Sequence, residues 1–188
     1  TFMNSLSEDA LNLINSESTI SNIKFKNSKS DALDIDSGYS EIYNVQCEDI
    51  GNDCLDFSNA EIKIENLFAR NIYDKSISVG ENSKVKIKNV DIDNSEIGLA
   101  VKDNSDAEIN YLQIKNSTLP IAVFVKKNEY GPAKLNIKNF KLEKSNNIFL
   151  VDNKSHLIVD GVKYLGTKSG EEIESYLYGN LYGRETIR

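Results

Sequence analysis

Asp31, Asp34 and Asp36 are followed 22 residues later by Asp53 and Asp56, with Asp49 between them. Carboxylates that recur at a fixed step meet in space if the chain folds back on itself with that period. Asp34 and Asp56 could then serve as the acid–base pair that cleaves a glycosidic bond. The set Asp31, Asp34, Asp36, Asp53 and Asp56 could instead supply the hard oxygen ligands of Ca²⁺, the one cofactor this sequence suggests. The third alternative is a solvated acidic face with Lys29 or Lys75 as counter-charge, in which Asp side chains satisfy local backbone N–H groups. A second set is basic: Lys75, Lys102, Lys126 and Lys127, with Arg70 and Tyr130. Lys and Arg are the residue types that remove a proton next to a carboxylate and neutralise the charge that develops. The same residues also suit a solubilising surface. His156 is the single histidine, which excludes chemistry built on two of them. No Ser–His–Asp set or Gly-rich phosphate loop is present. The sequons at Asn116 and Asn153 read as chance, because Asn is frequent throughout.

The positioning elements follow from an internal repeat. Asn22, Asn44, Asn66 and Asn89 precede Ile23, Val45, Leu67 and Val90, at steps of 22, 22 and 23. The series continues through Tyr111, Asn139 and Gly161 at steps of 22, 28 and 22, the long step holding an insertion at Asn128–Pro132. Each repeat carries three short alternating segments, the strand signal, and no 3.6-residue period. Asn and Gly at the breaks suit left-handed corners. Three strands per 22 residues make one turn of a parallel β-solenoid, with equivalent residues about 4.8 Å apart. The inward columns are then predictable. The first strand gives Ile62/Ile64, Val85/Ile87, Ala107/Ile109, Leu135/Ile137 and Leu157/Val159. The second runs from Ile23/Phe25 through Val45/Cys47, Leu67/Ala69, Val90/Ile92, Leu112/Ile114 and Phe140/Leu142 to Val162/Tyr164. The third runs from Leu11/Leu13 through Leu33/Ile35, Leu55/Phe57, Ile77/Val79, Leu99/Val101 and Val123/Val125 to Phe149/Val151. About seven turns make a rod of roughly 34 Å. Asp34 and Asp56 share the third strand's outward column, where stacked like charges repel. The Asn column should hydrogen-bond along the rod.

Several segments carry a resemblance: SDALDID (Ser30–Asp36), GNDCLDFSNAEI (Gly51–Ile62), YDKSISVGENSKVKI (Tyr73–Ile87), NSEIGLAVKDNSDAEI (Asn94–Ile109) and VKKNEYGPAKL (Val125–Leu135). The repeat resembles the right-handed parallel β-helix of the pectin-lyase-like superfamily, and most closely repeat modules of large bacterial secreted and surface proteins. The resemblance implies an all-β, single-stranded right-handed fold and an extracellular or cell-surface location. It implies acidic polysaccharide or cell-surface glycan, and other domains of a larger parent chain, as partners. A superfamily that holds lyases, epimerases, hydrolases and inert scaffolds leaves activity open. The regular solenoid favours a non-enzymatic scaffold or contact module, with Asp34, Asp56, Lys75 and Lys102 as catalytic candidates if it is an enzyme.

The balance of 22 basic and 29 acidic residues, net −7, argues against nucleic acid. No apolar run reaches the roughly 18 residues of a membrane helix, so no membrane insertion is expected. Two cysteines, Cys47 and Cys54, match neither a disulfide framework nor a zinc spacing and are expected as free thiols, Cys47 inward and Cys54 on the polar side. The opening TFMNSLSEDA lacks an initiator Met and a signal-peptide pattern, and the chain reads as a piece of something longer. The division expected is an entry segment 1–8, the β-helix 9–166 and a cap or linker 167–188. The third strand's outward column, read as Asn12, Asp34, Asp56, Ser78, Ala100, Phe124 and Leu150, turns from acidic to apolar and asks for a cover. In the tail, Ser169 can cap a short helix with Glu171 and Glu172 in its first turn. Ile173, Tyr176 and Leu177 would share its inner face until Tyr178-Gly-Asn-Leu-Tyr-Gly breaks it.

Overall fold

The computed structural model describes residues 1–145 and 149–179. The chain is a parallel β-solenoid of about seven turns, each about 22 residues long. Successive turns pair in parallel over nearly their whole length: Leu33 lies beside Leu55, Leu67 beside Val90, and Val85 beside Ala107. Strands such as Leu55–Gly80 run through corners, with one shift of register between Ile72 and Lys75. What bends them is the backbone at asparagine. Asn27, Asn71, Asn94 and Asn116 have φ between 53° and 63°, a conformation Asn tolerates better than branched residues do.

The corners are tied by the ladder read from the sequence. Asn44 donates to Asn22, Asn66 to Asn44 and Asn89 to Asn66, at 2.8 to 2.9 Å. A second ladder runs through Asp49, Asn71 and Asn94 at another corner. Each side-chain amide there is satisfied from the turn before, so the rod is pinned turn by turn along its edges. Inside, the columns of Ile, Leu and Val form one continuous core from Phe25 to Leu157.

Five expectations are corrected. Cys47 and Cys54 form a disulfide, with Cα atoms 5.9 Å apart and both residues buried. Alternation placed Cys54 outside, but the corner before Leu55 rotates the chain, and Cys54 and Leu55 both face inward. The sixth third-strand segment stacks Ile121 and Val123 on Leu99 and Val101, with Ala122 outward beside Ala100. Val123/Val125 was two residues out, because the 22-residue step persists until after this strand. Phe124 accordingly leaves the Asn12–Asp34–Asp56 column and lies beside Lys102. Finally, Val162 and Tyr164 do not stack on Phe140 and Leu142. Val162–Tyr164 turns back antiparallel on His156–Val159. The two residues between, Asp160 and Gly161, have φ of 50° and 79°, as a tight primed turn requires.

That hairpin ends the rod. Tyr164 packs edge-on against Phe149, and Phe149 against Phe140, at 5.0 and 5.7 Å between ring centroids. At the other end Phe2 stacks on Phe25. Helix α1 (Gly170–Leu177) begins in a capping box in which Ser169 and Glu172 satisfy each other's backbone N–H. It buries Ile173 and Leu177 on Ile97, Ala100, Leu119, Ala122 and Phe124, with Leu150 at the margin. Tyr176 stays partly exposed. Residues 180–188, which include most of the segment expected to break the helix, lie outside the described residues.

Candidate functional site

The third strand's outward side carries three columns. The first reads Asp9, Asp31, Asp53, Lys75, Ile97 and Leu119. The second reads Asn12, Asp34, Asp56, then Ser78, Ala100 and Ala122. Beside them Asp36 stacks on Ser58, and further along Lys102 on Phe124. Acidic turns therefore come first, two lysines mark the boundary, and the apolar stretch under α1 follows.

Within the acidic part the carboxylates lie in rows one strand spacing apart, about 4.8 Å. Asn12 Nδ2 donates to both Asp9 and Asp34, at 3.1 and 3.2 Å. Asp31 accepts from Asn52 Nδ2 and from the Asp53 amide, at 2.7 and 2.8 Å. Burial pushes the Asp34 carboxyl up to about 8, and the charges of Asp56 and Asp36 add to that. Burial likewise pushes Asp31 up to about 6, against the pull of its hydrogen bond from Asp53 N–H. Asp36 rises too, through burial and then Asp56.

The boundary is the most enclosed polar cluster. Lys75 Nζ sits 2.5 Å from Asp74 Oδ2 and 3.4 Å from Asp53 Oδ1, and all three residues are buried. Burial works against the Lys75 charge, but Asp53, Tyr178 and Asp74 outweigh it and hold the ammonium above its ordinary value. Burial drives the Asp53 carboxyl upward, with Lys75 opposing. Half-buried Lys102 leans over Gly80, its Nζ 3.9 Å from where a Cβ would stand. Its pKa is also raised, with burial opposing and Tyr178 and Asp56 prevailing. Tyr178, at the end of α1, presents its ring to Lys126 at 4.1 Å and to Lys75 at 5.4 Å.

The structure thus brings Asp34, Asp56, Lys75 and Lys102 onto one face. Of the wider basic set, Lys126 joins them, Lys127 pairs with Glu81, and Arg70 lies on the second-strand face beside Asp93. His156 is half-buried on the first-strand face beside Lys134. Asp74 and Tyr178 were not among the site candidates read from the sequence. Asp74 carried a usable signal, since it adjoins Lys75 within the repeat; Tyr178 comes from the non-repeating tail and carried none. Among the described residues no three His, Cys, Asp or Glu side chains are arranged to hold a metal ion. Ca²⁺ requires six to eight oxygens converging at about 2.3–2.6 Å. Asp31 and Asp53 instead spend oxygens on neighbouring amides, and the rest form a row.

The second-strand face differs. Gln46, Phe68, Asp91 and Gln113 stack along it. Lys24 and Lys26 pair with Glu48, and Arg70 with Asp93. Phe68, half exposed, lines a shallow groove of about 310 Å³ with Gln46, Glu48, Arg70, Asp91 and Lys115.

Comparisons with the curated proteins and with the solved structures match nothing. The family model described as a right handed beta helix region matches residues 9–164, most of the chain. That span runs from Asp9, at the start of the first long strand, to the terminal hairpin, and the chain belongs to the right-handed β-helix family.

Proposed function

We propose that this β-helix is a non-enzymatic module of an extracellular or cell-surface bacterial protein, a rigid rod that contacts a glycan or a protein through a flat face. The observation that carries the reading is the second-strand face: a stack of planar polar side chains, with Glu48 and Arg70 in ion pairs and Phe68 exposed at its centre. An exposed aromatic on a flat polar sheet offers stacking area at little entropic cost. The buried disulfide supports an oxidising location, where such bonds persist. Calorimetric titration with neutral and acidic oligosaccharides tests it: Phe68→Ala should abolish binding, and unchanged binding would refute the assignment of the face.

A second reading, an enzyme acting on acidic polysaccharide, draws on one observation. Asp34 keeps its proton near neutrality beside Asp56, the combination an acid–base pair needs. The aspartate rows nevertheless repel a polyanion. Incubation with polygalacturonate and alginate, followed by ultraviolet absorbance and reducing ends, should show no turnover. Turnover that disappears in Asp56→Ala or Lys102→Ala would establish the enzyme instead.

A further inference from the structure

Lys75 interrupts a ladder that aspartates begin. Asp31 Oδ1 accepts from the Asp53 amide at 2.8 Å, and Asp53 Oδ1 accepts from the Lys75 amide at 2.9 Å. The Lys75 side chain then returns onto the carboxylate of the turn before, with Nζ 3.4 Å from Asp53 Oδ1 and 3.5 Å from Oδ2. Asp74 Oδ2 lies 2.5 Å from the same nitrogen, and Asp74 Oδ1 is buried with no hydrogen-bond partner among the described residues. The side chains of Lys75, Asp53 and Asp74 are each 5% exposed, and the Tyr178 ring lies 5.4 Å from Nζ. Every other ion pair among the described residues is partly open to solvent. Burying charges in this way can cost more than their attraction returns, and condensing one pair into an amide removes both of its charges.

We propose that Lys75 and Asp53 join in an intramolecular isopeptide bond, from Nζ to Cγ, with Asp74 as the base. A proton passes from Nζ to Asp53 Oδ2 and leaves a neutral amine beside a carboxylic acid. The amine attacks Cγ, and the N–C bond forms as negative charge gathers on Oδ1, where the Lys75 backbone N–H already donates. Asp74 takes a second proton from the nitrogen and passes it to Oδ2, and the C–Oδ2 bond breaks with release of water. Oδ1 remains as the amide carbonyl, Nζ keeps one hydrogen, and Asp74 ends ionised as it began. The carboxylates hold the ammonium ionised, so the neutral pair is the minor form and the condensation is slow and runs once. Contact between the partners supplies an effective molarity of about 10⁵ to 10⁸ M, and burial keeps out the water that would reverse the step. The bond ties one turn of the rod to the next, and it is independent of what the second-strand face binds.

Intact-mass spectrometry of the folded full chain, incubated at neutral pH and then denatured and reduced, tests the proposal. The chain should become lighter by one water. Trypsin should then release residues 30–63 joined to residues 71–84, because a modified Lys75 no longer admits cleavage. Lys75→Arg and Asp53→Ala should keep full mass. Asp74→Asn retains both reacting groups and should lose water at least tenfold more slowly. The parent's own mass decides the question even where a variant folds poorly. Full mass after prolonged incubation of the folded parent would overturn the proposal. So would water loss at the parent's rate in Lys75→Arg or in Asp74→Asn, or a loss mapped to residues 155–163, where Asp160 precedes Gly161 and can close a succinimide.

Discussion

Replacing Asp34 with asparagine should make the protein more stable, and more so as the pH rises. In the folded chain the Asp34 carboxyl is pushed from an ordinary 3.8 up to about 8. The native state therefore holds a proton that the unfolded state has released across the interval between those values. Because the native state binds more protons there, stability falls as pH rises from about 4 to about 8. The full rise corresponds to an upper bound on the order of 6 kcal/mol, at about 1.4 kcal/mol per pH unit. Asp34 is only half-buried, so solvent screening cuts that figure, and roughly 1–2 kcal/mol is the reasonable expectation. The asparagine keeps the shape, carries no charge and can still take the hydrogen bond from Asn12. Urea denaturation at pH 5 and pH 8, at fixed ionic strength, measures the effect. Asp34→Asn should gain about 1 kcal/mol more over the parent at pH 8 than at pH 5. A parent whose midpoint is flat across that range, with a variant no more stable at pH 8, would refute the argument that the stacked carboxylates strain the fold.

Three further outcomes follow from the geometry. Cys47→Ala/Cys54→Ala should lose roughly 2.5 kcal/mol, the chain-entropy value for so short a loop, and the parent should show no free thiol to Ellman's reagent under denaturing, non-reducing conditions. Asn66→Leu should cost about 1–3 kcal/mol in a melting or urea experiment, since it cuts the bonds to both Asn44 and Asn89. Leu177→Ala should cost about 2–4 kcal/mol if α1 unfolds with the rod; a variant that instead exposes Phe124 without changing the rod's own transition would show the helix to be a separate unit.

The period of 22 made most of the rod legible before any coordinates, because a solenoid converts sequence spacing directly into neighbourhood. Asn22, Asn44, Asn66 and Asn89 stack as their spacing requires, and so do Asp34 and Asp56. What failed were the places where a local rule overrode the period. Cys54 faces inward because a corner breaks alternation. Val162 and Tyr164 kept the numerical step, yet Asp160-Gly161 is a strong hairpin signal and turned the chain back. The face itself was readable from Asp34, Asp56, Lys75 and Lys102. Its depth was not: Tyr178 reaches Lys75 from the tail, a position that no repeat count relates to it.

The charges on this rod are not distributed alike among its faces, and the contrast bears on what the acidic face is for. Many outward positions elsewhere offset opposite signs from turn to turn, although Lys63 stacks on Lys86: Glu41 meets Lys63, Glu65 meets Lys88, Arg70 meets Asp93, and Glu48 takes Lys24 and Lys26. Such pairs cost the fold little and contribute little. Among the described residues, only the first turns of the third face stack Asp on Asp; there burial raises Asp34 and the charges of Asp56 and Asp36 add to it, while Lys75 is held by Asp53 and Asp74. A single lysine at position 34 or 56 would relieve it at no cost to the ladder, as the other faces do. Asp34→Asn should accordingly stabilise the protein more than Glu65→Gln, a neutralisation at a position where Lys88 already offsets the charge.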